Sequence, residues 1–91
     1  MGRAEGYVEN YLVKKAKEKG FLCLKFTSPG IRGVPDRIVV GHGKTIFVET
    51  KSKTGTPSEL QKLRIKQLRD HGAEVHIASS REQIDQILET I

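Results

Sequence analysis

The feature that most limits how this chain can fold is a pair of β-branched runs, Asp36 to Gly41 and Lys44 to Lys51, separated only by His42-Gly43. Two such runs joined by two turn-forming residues predict an antiparallel hairpin. A two-residue turn also sets the register, so that Gly41 faces Lys44, Ile38 faces Phe47 and Asp36 faces Glu49. Side chains alternate along a strand, which puts Glu49 and Lys51 on one face and Thr50 on the other. Directly opposed residues have Cβ atoms roughly 5 Å apart. The hairpin is therefore expected to bring two carboxylates together, with an ammonium beside them.

Two carboxylates at that separation destabilise a sheet unless one takes up a proton or a cation lies between them. Hard divalent cations such as Mg²⁺ or Mn²⁺ accept oxygen ligands, and Asp36, Glu49 and the Thr50 carbonyl could supply them. Beside such an ion, Lys51 could orient an attacking water or neutralise developing negative charge. Asp, Glu and Lys on a hairpin are also what a solvated face looks like. Against that plainer reading, the strand is otherwise apolar (Ile46, Phe47, Val48), its polar cluster is confined to one end, and Asp36 follows a Gly/Pro-rich loop, Ser28 to Pro35.

The rest of the chain reads as helices and strands around this hairpin, in the order α-β-β-β-α-β-α. A first helix runs from Ala4 to Lys19 and stops at Gly20. Its apolar residues Val8, Leu12, Val13 and Ala16 share one broad face. Glu9 falls inside that arc and Glu5 at its edge, and a carboxylate there needs a partner. Phe21 to Thr27, nearly all apolar, is expected to be a central strand. Thr56-Pro57-Ser58-Glu59 resembles a capping box opening a helix that runs to His71, with Gly72 as its stop. Val75 to Ala78 is a last strand. Ser79 or Ser80 then caps a helix with a core stripe of Ile84, Ile87, Leu88 and Ile91.

At 91 residues the sequence has the size of one domain, expected to span residues 1–91. A single cysteine, Cys23, excludes a disulfide framework and a cysteine-based zinc site within one chain. His42, His71 and His76 lack metal-ligand spacing. No apolar run is long enough to span a membrane and no signal-peptide features are present, so a cytoplasmic protein is expected, with no membrane partner and no organic cofactor. The net charge of +5 favours a polyanionic partner, most simply nucleic acid.

Pro35-Asp36 followed by Glu49-Thr50-Lys51 resembles the PD-(D/E)XK signature of restriction-endonuclease-like nucleases. The longer match, Ser28-Pro29-Gly30-Ile31-Arg32-Gly33-Val34-Pro35-Asp36 with Phe47-Val48-Glu49-Thr50-Lys51, is similar to the virus-type replication-repair nuclease (VRR-NUC) family. The resemblance extends from Glu9 to about Gln67. It implies an α/β fold with an α-β-β-β-α-β core, a mixed central sheet and a C-terminal helix, and a catalytic set of Asp36, Glu49 and Lys51. It further implies a helix-borne acidic ligand, for which Glu9 matches the spacing of similar archaeal junction resolvases and Glu5 is the lesser candidate. A polar residue and a Gln after the hairpin are matched by Ser58 and Gln61. Gln61 would face either the site or solvent.

The expected activity is Mg²⁺- or Mn²⁺-dependent hydrolysis of DNA, in branched substrates such as Holliday junctions, by a homodimer in a bacterial or phage-infected cell. Stand-alone phage and bacterial members carry that implication. Alternatives are the same chemistry on flaps, nicks or duplex DNA, or a basic DNA-binding module without catalysis. Arg32, Arg37, Lys53, Ser28 and Lys62 are the expected DNA contacts, with Arg suited to bidentate phosphate recognition. No base-reading motif is present, so recognition of backbone and shape is expected.

Overall fold

The computed structural model describes residues 4–91, with side chains from Gly6 onward. The elements are α1 (Ala4–Glu18), β1 (Leu22–Lys25), β2 (Arg37–Gly41), β3 (Lys44–Thr50), α2 (Glu59–Asp70), β4 (Val75–Ala78) and α3 (Arg81–Glu89). Glu5, the lesser candidate for the helix-borne acid, lies outside the residues whose side chains are described. Among the described residues no helix is long and apolar enough to cross a membrane.

The four strands lie side by side in chain order. β1–β2 and β2–β3 pair antiparallel, β3–β4 pairs parallel, and the sheet is therefore mixed. Antiparallel neighbours need only short turns. The parallel pair needs a long crossover, which α2 supplies. His42 and Gly43 both adopt positive φ (53° and 80°), the backbone that a two-residue hairpin turn demands. The resulting register pairs Gly41 with Lys44, Ile38 with Phe47 and Arg37 with Val48, as the turn length dictates.

The main core lies on one face of the sheet. Val39, Ile46, Val48 and Ala78 pack there against Val8, Leu12 and Ala16 of α1 and Ile84, Ile87 and Leu88 of α3. Strand alternation sends Phe47 and Glu49 to the other face, where α2 lies. Gly72, at φ 94°, follows α2 where a stop was expected, and Ser80 rather than Ser79 caps α3.

Two expectations are corrected. The Phe21–Thr27 run forms only a four-residue strand, and it is an edge strand instead of a central one. Its apolar residues divide by side: Phe21 and Cys23 join the core, whereas Leu22 and Leu24 stay 56% and 45% exposed. The cap of α2 is Ser58, two residues beyond Thr56. Ser58 Oγ accepts the Gln61 N–H and Gln61 Oε1 accepts the Ser58 N–H, so Ser58-x-x-Gln61 forms the capping box and Glu59 becomes the first helical residue.

Candidate active site

β3 carries the site at its C-terminal end. Glu49 is 1% exposed although it is a carboxylate. Charges are rarely buried so fully unless they are paired. Here Lys51 Nζ stands 3.2 Å from Glu49 Oε2, and Gln61 Nε2 donates to the same oxygen at 2.9 Å. Lys51 shares the face of Glu49 by strand alternation. Gln61 comes from the first turn of α2, where the capping box fixes its backbone and its amide oxygen. The amide nitrogen is left to reach the sheet. Gln61 therefore faces the strand, resolving the alternative that the sequence left open.

Asp36 sits one residue before β2. The β2–β3 ladder ends at Arg37–Val48, so Asp36 is not paired across it with Glu49 as the simple register would have it. Continued pairing would set Thr50 opposite Pro35, which has no N–H to give. The Asp36 side chain takes over instead. Its Oδ2 accepts the Thr50 N–H at 2.9 Å and the Thr50 Oγ1–H at 2.7 Å. The Asp36 carbonyl accepts the Phe26 N–H at 2.8 Å, tying the same residue to the chain beyond β1. Asp36 thus meets β3 at the residue between Glu49 and Lys51.

Glu9 is held by two cations. Its Oε2 accepts from Arg37 Nε at 2.8 Å and from Lys25 Nζ at 2.9 Å. Lys25 and Arg37 are ladder partners, and Arg37 pairs with Val48, on the core face opposite Glu49. The carboxylate within the apolar arc of α1 has found its partner in these two cations, and among the described residues it forms no three-carboxylate cluster with Asp36 and Glu49. Burial pushes the Glu9 carboxyl up, but the hydrogen bonds from Lys25 and Arg37 outweigh this and hold it below the ordinary carboxylate range. Arg37, expected on phosphate, gives its Nε–H to this ion pair.

The remaining expected DNA contacts are spread over the surface. Arg32 and Lys53 are exposed. Lys53 borders an open groove with Tyr7, Val8, Ser79, Ser80 and Arg81. Lys62 points outward on α2 and pairs with Glu59 at 3.1 Å. Ser28 closes a turn in which its carbonyl accepts the Ile31 N–H. One contributor escaped the sequence reading: Arg64 Nε donates to the Arg32 carbonyl at 2.8 Å and holds the loop that leads to Asp36. An Arg in mid-helix carries no local signal of such a role.

Among the described residues there is no cluster of three or more His, Cys, Asp or Glu side chains that could hold a metal ion. The oxygen donors at the end of β3 are the two carboxylates of Asp36 and Glu49 and the main chain at Thr50. Both described donors to Asp36 fall on Oδ2, and Oδ1 receives none from the described residues. A hard-oxygen set of this kind fits a divalent cation held partly by water, better than a closed protein cage.

No family model matches the chain. A protein named "Putative nuclease p44", from Acyrthosiphon pisum secondary endosymbiont phage 1, is 43% identical over 68 residues, which cover 74% of this chain and 67% of that protein. A solved structure described as a VRR_NUC domain matches with a TM-score of 0.88 and 30% identity, over 97% of both chains. The match takes in all seven elements and the mixed sheet that presents Asp36 and Glu49-Thr50-Lys51. On that combined likeness of sequence and fold, the chain belongs to the VRR-NUC family of nucleases.

Proposed function

We propose that this chain is a single-domain, Mg²⁺- or Mn²⁺-dependent endodeoxyribonuclease that hydrolyses phosphodiester bonds in branched DNA as a homodimer, in the cytoplasm of a bacterial or phage-infected cell. The observation that carries the chemistry is the buried Glu49, held by Lys51 and Gln61 one residue from the point where Asp36 docks. A protein that only bound DNA would have no use for a buried carboxylate beside the partly exposed Asp36, because carboxylates repel phosphate unless a cation lies between.

In this reading Asp36 and Glu49 are the carboxylate ligands and Thr50 offers its carbonyl. A divalent cation bound there supplies a Lewis acid for the phosphoryl oxygen and a water of lowered pKa. The chain's own groups do the rest. Lys51, 13% exposed at its side chain, neutralises charge developing on the phosphate and orients the attacking water. Gln61 keeps Glu49 in one rotamer. Exposed Arg32 and Lys53 anchor flanking phosphates, giving affinity without base readout. A two-fold dimer would place two such sites on two strands of a branch point.

The test is a cleavage assay with Mg²⁺ or Mn²⁺, wild type beside Glu49→Ala, on a four-way junction, a flap, a nicked duplex and a plain duplex. Paired symmetric cuts in the junction, absent from the variant and from EDTA-treated protein, are expected. Cutting confined to flaps or nicks replaces the branched-DNA assignment. Binding without any cutting overturns the enzymatic reading.

A further inference from the structure

We infer that Thr50 is a positioning residue, whose hydroxyl fixes the Asp36 carboxylate so that Oδ1 is presented to a divalent cation. This rests on the reading above that Asp36 is a metal ligand.

Three observations carry it. First, Thr50 is fully buried, and it follows Ile46 and Val48 on the core face of β3. Packing at the end of that row would be served as well by valine, which has nearly the same shape and no hydroxyl to satisfy. Second, a buried hydroxyl costs free energy unless it is bonded. A threonine usually finds a nearby main-chain carbonyl. This one instead donates to Asp36 Oδ2 at 2.7 Å. Third, the Thr50 N–H donates to the same oxygen at 2.9 Å. Two donors from one rigid residue define both the position and the tilt of the carboxylate, which a single bond would not. Both act on a charged acceptor and are of the stronger class.

Asp36 stands outside the β2–β3 ladder, with a Gly/Pro-rich loop before it. Its main chain alone does not set its side chain. Without the hydroxyl, the carboxylate keeps one bond and can turn about it. Residues that orient metal ligands typically contribute roughly 10–100-fold to metal affinity, and the lower part of that range is expected here because the N–H bond remains.

The experiment is a Mn²⁺ titration followed by electron paramagnetic resonance on the full chain, with no DNA present. It compares wild type, Thr50→Val, Thr50→Ser and Asp36→Asn, with a thermal melt of each. Thr50→Val is expected to weaken Mn²⁺ binding about ten-fold and Thr50→Ser to restore it, with both variants folded in the melt. Thr50→Val binding Mn²⁺ as wild type does, when Asp36→Asn has lost it, overturns the role of Thr50 and leaves Asp36 as a ligand. Unchanged binding in Asp36→Asn overturns the metal reading and this inference with it. Should Thr50→Val not fold, Thr50→Cys offers a weaker donor of similar size. Intermediate affinity is then expected, and wild-type affinity counts against the proposal.

Discussion

Gln61 serves Glu49 and its own helix with one side chain: Nε2 donates to Glu49 at 2.9 Å while Oε1 accepts the Ser58 N–H at 2.9 Å. The amide is held at both ends, so the start of α2 and the buried carboxylate are mechanically joined. Gln61→Ala should lose half of a capping box and a hydrogen bond to a charged group. These are worth about 1 and about 1.5–3 kcal/mol respectively. A loss of about 2.5–4 kcal/mol in urea unfolding is expected, together with reduced cleavage. A change under about 0.5 kcal/mol, the scale of ordinary surface substitutions, would show that the amide is not engaged.

Lys51→Ala is expected to abolish cutting while DNA binding, read by gel shift, stays largely intact. It should also destabilise the fold, since removing one partner of a buried pair is far costlier than removing both. The double variant Glu49→Gln with Lys51→Ala should recover part of the loss. If the two stability effects simply add in a double-mutant cycle, the 3.2 Å pair does not act as a unit.

The Glu9 network predicts an acid-sensitive increment of stability. The folded carboxyl titrates below its ordinary value of 4.5 because Lys25 and Arg37 favour the charged form. Its contribution is therefore fully present above the unfolded pKa and is lost as pH falls through the lower folded pKa. Unfolding free energies of wild type and Glu9→Gln should differ at pH 7 and converge on acidification below about pH 4. Parallel curves would show that Glu9 is not engaged by the two cations.

Gly33 and Gly30 separate strain from crowding. Both have positive φ, 87° and 81°. An added Cβ at Gly30 meets nothing, whereas at Gly33 it would stand 3.0 Å from the Leu60 carbonyl oxygen and 3.1 Å from Arg64 Cγ. Gly30→Ala should cost about 1–2 kcal/mol from backbone strain alone. Gly33→Ala should cost at least about 1 kcal/mol more from overpacking, and should disturb the loop that delivers Asp36. Equal melting temperatures for the two would contradict the close approach of loop and helix.

Much of this arrangement was legible from spacing alone. The turn residues His42-Gly43 dictated the register of β2 on β3, and strand alternation put Glu49 beside Lys51. What escaped was decided between elements. Leu22 and Leu24 look like core residues, and only the position of β1 at the edge leaves them exposed. Glu9 matches the spacing of a site residue, and the partners it contacts, Lys25 and Arg37, are cations that meet only once β1 and β2 have paired. Two serine- or threonine-led caps competed within four residues, and Ser58 prevailed because Gln61 could close the box.

The parallel pairing of β3 with β4 also bears on when the chain becomes competent during synthesis. The Lys51 N–H bonds the Ala78 carbonyl at 2.8 Å, and Thr50 lies opposite Ala78. A nascent chain that has emerged only through the hairpin already contains Asp36, Glu49 and Lys51, yet the outer edge of β3 has no neighbour until residues 75–78 arrive. The crossover through α2 that carries Gln61 must be made first, and closures between distant residues are the slow steps of folding. The last strand, far along the chain, thus completes the hydrogen bonding of the segment that bears Glu49 and Lys51.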